Sequence, residues 1–228
     1  MIDLFNIFPE IFLINAAIFI LIFGVSVSQE KNRLSSITTL SLCSLLLTGL
    51  LLANQVIYSS NFFWNSFIID NFTFFFKVLL VSSAFIVIAM SQTFMLKTRV
   101  YAFENFILIL ISVSTMMMLV SCYDLLPLYL TIELQSLCFY VLAASKRYSE
   151  FSTEAGLKYF LLGAFSSGIL LFGFSFIYGL TGMTNFEDIA KLSYTQIFAT
   201  QSYIPFSITI GILFIAVGFL FKITAVPF

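Results

Sequence analysis

The sequence contains no histidine and only three cysteines, Cys43, Cys122 and Cys138. Without histidine, the chain lacks the side chain that most often binds haem, zinc and copper. The cysteines lie in apolar stretches and form no CxxC motif, and their odd number argues against a disulfide framework. We therefore expect no metal and no redox cofactor in this chain.

Charge is also scarce, because charged residues make up 9% of the sequence, against about 25% in soluble domains. The net charge of -1 and the absence of a basic patch give no indication of nucleic-acid binding. Hydrophobic residues make up 61%, and the mean hydropathy is +1.07. Apolar stretches of about 20 residues without strand-like alternation predict a polytopic all-α membrane protein surrounded by lipids.

The N-terminus has neither a basic n-region nor an Arg-rich amphipathic leader. The first apolar segment is long enough to span a membrane, so we expect it to be a retained helix. This favours a bacterial protein or one synthesised inside an organelle. The 30 phenylalanines, with many Ile, Asn and Tyr, favour an AT-rich organelle genome.

Seven segments have the length and composition of transmembrane helices. The fourth and fifth come from one apolar run, and "SCYDLLP" at 121–127 is the expected turn, with Asp124 near the positive end of the next helix. The expected spans are 8–28, 34–54, 74–95, 105–122, 124–144, 157–180 and 205–227.

Basic residues alternate between the loops of this arrangement and predict its orientation. One side carries six of them and the other only Lys191, so the positive-inside rule places the N-terminus outside. The six are Lys31, Arg33, Lys97, Arg99, Lys146 and Arg147. The long loops two–three and six–seven mix aromatic and polar residues and are expected to lie at the membrane interface.

Glu133 is the charge that most needs an explanation. It is the tenth residue of the fifth span, near the bilayer midplane, where a carboxylate is costly. Tyr129, Ser136 and Tyr140 share its helix face, so this face is expected to contact protein or water instead of lipid. Two interpretations are open: a proton or ion site, or a hydrogen-bonded glutamate used in packing.

Three lysines also lie in or near the predicted spans. Lys222 follows Gly211 and Gly218, which permit close helix approach, and it precedes the helix-breaking Pro227. It is either a second charge of the site or a side chain that reaches the inner headgroups. Lys158, four residues after Glu154, is either an interfacial ion pair or a proton-relay position.

Lys77 lies close to the outer end of the third span. Basic residues near helix ends usually extend to the headgroups. We therefore expect Lys77 to be a membrane-interface anchor. The glycines of segment six (Gly163, Gly168 and Gly173) and the pair Ser166–Ser167 are expected to serve tight helix packing.

Three stretches make the chain recognisable: "IELQSLCFYVLAASKR", "FSTEAGLKYFLLGAFSSGILLFG" and "GILFIAVGFLFKITAVPF". They resemble the antiporter-like membrane subunits of respiratory complex I, the proton-pumping NADH:ubiquinone oxidoreductase, and within them the subunit 2 type. The resemblance implies an N-terminal three-helix bundle over 1–104 and most of the first antiporter-like repeat over 105–228. It implies a multi-pass protein of the mitochondrial inner membrane, with its N-terminus on the intermembrane-space side.

The resemblance also implies roles for single residues. Glu133 and Lys222 match the family's charged pair, whose rearrangement accompanies proton uptake and release, and Lys158 matches a lysine of the same path. FMN, iron–sulfur clusters and ubiquinone are expected in other subunits, and the partners are other membrane-arm subunits.

The family subunit is about twice as long as this chain, which stops at the break of helix seven. A separate chain is therefore expected to complete the C-terminal half, unless the product is truncated. Two alternatives remain at this point: a non-pumping scaffold subunit of the membrane arm, and a component of a multisubunit Na⁺/H⁺ antiporter.

Overall fold

A computed structural model describes residues 6–26, 30–55, 60–98, 103–146, 148–192 and 206–226. Within these ranges the chain is a set of helices with one small hairpin. The helices are α1 (Phe8–Ser26), α2 (Glu30–Ala53), α3 (Asn71–Thr98), α4 (Glu104–Ser121), α5 (Leu125–Ala143), α6 (Glu150–Thr181) and α7 (Phe206–Lys222), and the strands are β1 (Ser60–Phe62) and β2 (Phe67–Ile69). Residues 186–192 are also helical.

The helices follow the predicted spans, and six of those described, α1 to α6, are long and apolar enough to cross a membrane. The apolar part of α7, Ile208–Lys222, is shorter. The division of the 105–144 run is confirmed, since α4 ends at Ser121 and α5 begins at Leu125. Asp124 caps α5, because its side chain accepts a hydrogen bond from the Leu126 amide at 3.2 Å.

The first four helices form one packed group. Helices α1 and α3 each pack against both α2 and α4, so α1 and α3 lie on one diagonal of the group. Buried apolar side chains from all four helices fill its centre, among them Leu13, Leu45, Ile88 and Phe106. Helix α4 also packs against α5, and it thereby joins this group to the remaining helices. The expected domain boundary at residue 104 stays a prediction.

Helix α6 packs against both α5 and α7. A Cβ atom at Gly173 would lie 2.9 Å from the Gly211 carbonyl oxygen and 2.9 Å from the Ile215 amide nitrogen, and one at Gly218 would lie 2.7 Å from the Leu170 Cβ. The absence of side chains at these positions therefore lets the α6 and α7 backbones approach closely, as the glycine spacing in segment seven predicted. Gly168, in contrast, has nothing within 4 Å of its Cβ position.

Helix α7 ends at Lys222, ahead of Pro227. The Ala225 amide donates to the Leu220 carbonyl and the Thr224 amide to the Phe221 carbonyl, both at 3.0 Å. These two bonds form a Schellman motif, which normally places glycine at its left-handed position. Here Thr224 occupies that position with φ 57°. A β-branched residue in this conformation is strained.

The loop between α2 and α3 contains a structure that the sequence did not predict. Strands β1 and β2 pair antiparallel, with Ser60 opposite Ile69 and Phe62 opposite Phe67. The Tyr123 amide donates to the Ser66 carbonyl at 2.8 Å, so the hairpin is attached to the α4–α5 turn. At its tip, Trp64 is 99% exposed. The aromatic residues of this loop had suggested a segment at the membrane interface. In the structure, some of them lie at the exposed tip and others on the buried side of the hairpin.

Candidate proton-transfer site

Helix α5 has an exposed side and a protein-facing side. Leu130, Leu134, Leu137 and Val141 are exposed on the isolated chain. The predicted polar stripe lies elsewhere, since Ser136 and Tyr140 are buried and Tyr129 contacts Phe174 of α6 edge-on, with ring centroids 6.4 Å apart. The structure thus confirms that the stripe containing Glu133 meets protein.

Glu133 is half-buried in this stripe, about 12 Å along α5 from Leu125. Its Oε2 atom is buried and has no hydrogen-bond partner among the described residues. The nearby Ser136 hydroxyl does not provide one, because it donates to the backbone carbonyl of Glu133 at 2.9 Å. Burial of a carboxylate oxygen without a donor is unfavourable unless a proton or a water molecule satisfies it.

Lys222, the last residue of α7, supplies a second buried charge. Its Nζ atom is buried and unpartnered among the described residues, and it lies 6.0 Å from the centre of the Tyr140 ring. The Glu133 carboxylate is close enough for its charge to act on this ammonium. In the described part of the chain, however, no ion pair joins the two. An acid and a base therefore face one site from two helices without touching.

Tyr140 and Gly163 complete the surroundings of Lys222. The Tyr140 hydroxyl is buried and has no hydrogen-bond partner within the described ranges. A Cβ atom at Gly163 of α6 would collide with that hydroxyl. The ring also packs edge-on against Tyr159 and Phe160, with centroids at 4.7 and 5.7 Å. The sequence showed Tyr140 on the polar stripe, but it could not show that Gly163 leaves space for the hydroxyl.

Lys158 lies apart from this site. It forms an ion pair with Glu154 one turn earlier on α6, and the two side chains are 67% and 59% exposed. The structure therefore contains the ion pair that one of the two interpretations expected, and its location at the membrane interface stays a prediction. The relay role of Lys158 stays a prediction.

The interpretation of Lys77 as an interface anchor is wrong. Its Nζ lies 2.7 Å from Glu10 Oε1, and the two side chains are only 2% and 1% exposed. The sequence indicated Lys77 but not its partner, because Glu10 lies 67 positions away in the first turn of α1. Only the packing of α1 and α3 around a common centre brings the two together.

The described residues contain no group of three or more His, Cys, Asp and Glu side chains that could bind a metal ion. The side chains of Glu133 and Lys222 themselves supply a carboxylate and an amine. Such groups bind, hold and release protons.

The sequence has extensive relatives. Over 99% of its length the chain is 53% identical to NADH-ubiquinone oxidoreductase chain 2 of Marchantia polymorpha, of which it covers 47%. It is 53% identical over 97% of its length to the protein of the same name from Arabidopsis thaliana, covering 46% of it. NADH-quinone oxidoreductase subunit N of Rhodobacter capsulatus is 40% identical over 96% of this chain, which covers 44% of that protein.

A family described as "NADH:quinone oxidoreductase/Mrp antiporter, TM" matches residues 122–228. Those residues are similar to this family. They comprise α5, α6 and α7 and include Glu133, Lys158 and Lys222. The resemblance to subunit 2 is confirmed over nearly the whole chain, and the chain spans about half the length of the curated relatives it matches.

Two solved structures share the fold of this chain. Respiratory complex I from Thermus thermophilus with bound aureothin contains a chain that superposes with a TM-score of 0.74 at 22% identity, over 96% of this chain and 45% of that one. The membrane-bound sulfane sulfur reductase, an archaeal respiratory membrane complex, gives a TM-score of 0.68 at 20% identity, over 93% and 43%. Both confirm the predicted helical fold.

Proposed function

We propose that this chain forms part of a proton-translocating membrane-arm subunit of NADH:ubiquinone oxidoreductase, with Glu133 and Lys222 as the groups that bind and release the proton. One observation supports this more than any other. The two groups have opposite charge, belong to different helices, and each has a buried polar atom without a partner in the described part of the chain. A pair used only for packing would be expected to be in contact, since unpartnered buried charges are costly.

The proposed mechanism is a change in the separation of the two groups. When the Glu133 carboxylate approaches the Lys222 ammonium, the attraction keeps the lysine protonated. When they separate, burial disfavours the charge and the ammonium releases its proton. Lys222 terminates α7 at a strained Schellman motif, so a small change in that turn would displace the amine.

The chain is proposed to transport protons without performing the redox reaction. NADH oxidation and quinone reduction, with FMN, iron–sulfur clusters and ubiquinone, are assigned to other subunits. The names of the relatives support a place within such an oxidoreductase. The field across an energised membrane then acts on the moving charge, at about 2.3 kcal/mol per elementary charge and 100 mV.

The proposed location is the mitochondrial inner membrane, with the N-terminus on the intermembrane-space side. The plant relatives and the apolar helices support this location, and the loop charges support the orientation. The partners are other membrane-arm subunits and polypeptide equivalent to the second half of the relatives. We expect that polypeptide to contact the end of α7 near Lys222.

Substitution Glu133→Gln in the assembled complex tests this function. The variant retains the size of the side chain but cannot take part in a charge pair, so proton translocation per NADH oxidised is expected to fall while assembly is retained. The matched control is Glu104→Gln, because Glu104 is exposed in the first turn of α4. Unchanged translocation in the Glu133 variant would refute the proposal, and loss of assembly alone would favour a scaffold.

A second candidate function is a component of a multisubunit Na⁺/H⁺ antiporter, since the matching family includes Mrp antiporters. The two functions differ in what drives them. An antiporter component would support sodium-dependent proton movement in vesicles without NADH. The proposed subunit would show none and would require electron transfer.

A further inference from the structure

We propose that Glu10 and Lys77 form a second proton-exchanging acid–base pair, located in the α1–α4 group and separate from Glu133 and Lys222. This inference rests on the proposed function, because it assumes that the chain works inside a proton-translocating complex. It concerns helices outside residues 122–228, the part that the antiporter family matches.

The first observation is the position of the pair. Glu10 lies in the first turn of α1, and Lys77 is about 9 Å along α3 from Asn71. These helices occupy one diagonal of the four-helix group and make few direct contacts, whereas each packs against α2 and α4. The ion pair therefore links two diagonally opposite helices, and its side chains are only 1% and 2% exposed.

The second observation is that the pair is only half satisfied. Glu10 Oε1 contacts the Lys77 ammonium at 2.7 Å. Glu10 Oε2 is buried and has no hydrogen-bond partner among the described residues. A desolvated carboxylate oxygen without a donor is unfavourable, and a proton bound to it removes the charge that makes it so. The remaining ion pairs of the described residues are Glu154–Lys158 and Glu187–Lys191. Both are exposed, so water can satisfy their carboxylate oxygens.

Apolar residues flank Glu10 along α1. Ile7 and Ile11, on either side of Glu10, pack with Phe62, Phe67 and Ile69 of the hairpin. The hairpin therefore covers the same end of α1.

The titratable groups around the pair come from the hairpin–α3 junction and the end of α4. Asp70 precedes α3, and the Cys122 thiol follows α4 closely enough for the charge of Lys77 to act on it. Asp124 acts on the same thiol. Neither α2 nor α4 presents a charge that pairs with Glu10 within the described ranges.

The exchange balances in three proton transfers and moves no electrons. A proton from water binds Glu10 Oε2, which gives a carboxylic acid beside the Lys77 ammonium. The ammonium then releases a proton to water and becomes a neutral amine. Transfer of the acid proton to that amine breaks the O–H bond, forms an N–H bond and restores the ion pair, so one proton has passed.

A purely structural role is the competing explanation, in which the pair holds α1 against α3. The two roles differ in what happens when both charges are removed together. Apolar replacement of a buried ion pair is often neutral or stabilising for a fold. The double variant Glu10→Leu/Lys77→Met should then assemble, and a structural pair would leave proton translocation unchanged.

The experiment is infrared difference spectroscopy of the membrane-bound complex during NADH-driven turnover, with proton translocation measured in parallel. We expect a carbonyl band of a protonated carboxyl group that is lost in Glu10→Gln and in Glu10→Leu/Lys77→Met. The control Glu104→Gln should retain it, because Glu104 is an exposed first-turn glutamate of α4. The double variant should also translocate fewer protons per NADH.

A band that persists in either Glu10 variant, or full translocation in the double variant, would overturn the proposal. The native complex provides a measurement that does not depend on assembly of a variant. An apolar carbodiimide, which reacts with protonated carboxyl groups, should label Glu10 during turnover. If chains that carry the label at Glu133 carry none at Glu10, then Glu10 stays ionised during turnover, and the proposal is wrong. Unchanged proton translocation in Glu133→Gln would refute the proposed function. The infrared band and the carbodiimide label at Glu10 test the second pair independently of that result.

Discussion

The Tyr140 hydroxyl of α5 occupies the space that a side chain at Gly163 of α6 would fill. A Cβ atom built at Gly163 overlaps the hydroxyl oxygen and lies 2.5 Å from the ring carbon that carries it. This contact sets the position of the Tyr140 ring. The Lys222 ammonium of α7 lies 6.0 Å from the centre of that ring. Helices α5, α6 and α7 thus meet around one tyrosine, and the packing of the site and its chemistry depend on each other.

Substitution Gly163→Ala should destabilise the packing of α5 on α6. The added methyl group requires the Tyr140 ring to move, and overpacking of this kind costs about 1–3 kcal/mol. We expect a lower thermal transition of the purified complex and less assembled complex in membranes.

The matched control is Gly168→Ala on the same helix. Nothing lies within 4 Å of the Cβ position of Gly168, and alanine favours helix over glycine by about 1 kcal/mol. The control should therefore match the native protein or exceed it in thermal stability. Equal loss in both variants would contradict the proposed collision.

Substitution Tyr140→Phe should leave the fold intact or make it more stable. The hydroxyl is buried without a partner among the described residues, and burying such a group costs about 1–3 kcal/mol. Tyr140→Ala, in contrast, removes the ring that contacts Tyr159 and Phe160 and should cost about 3–5 kcal/mol. Thermal denaturation of both variants provides the comparison. A marked loss of stability in Tyr140→Phe would mean that water or another chain bonds the hydroxyl.

Substitution Thr224→Gly should stabilise the end of α7. Thr224 has φ 57°, a left-handed conformation that costs a residue with a side chain about 1–2 kcal/mol and glycine almost nothing. The control is Thr209→Gly, since Thr209 is exposed within α7 and glycine there should lose about 0.5 kcal/mol. Opposite signs of the two changes in thermal stability are expected. Destabilisation by both would mean that the turn after Lys222 is not left-handed in the assembled protein.

The relay role of Lys158 predicts that Lys158→Gln lowers proton translocation per NADH. The control is Lys191→Gln, because Lys191 forms a similarly exposed pair with Glu187, also four residues apart. Loss of either pair should change stability by no more than about 1 kcal/mol, so a difference in translocation would not come from unfolding. Equal translocation in the two variants would leave Lys158 as a surface ion pair.

The sequence alone determined the helical spans and the exceptional position of Glu133. Both can be read from neighbouring residues. A run of about 20 apolar residues matches the thickness of a bilayer. A carboxylate inside such a run is costly, and no basic residue close in the sequence offsets that cost. The α4–α5 turn was also predictable, because Asp124 is a capping residue between two apolar runs. The position of Lys222 at the end of α7 was indicated by Pro227 and by the resemblance.

Tertiary structure decided which groups meet. Glu10 and Lys77 lie on helices separated by α2 and the hairpin, and no spacing rule connects them. The hairpin itself has strands of three residues each, too short for a periodic signal to appear in a chain this rich in apolar residues. In a membrane helix, nearly every position is apolar, so the pattern that tells a soluble helix which face to bury is weak. Contacts between such helices depend on small residues and on single polar groups. The partners of these residues can be identified only from the packed structure.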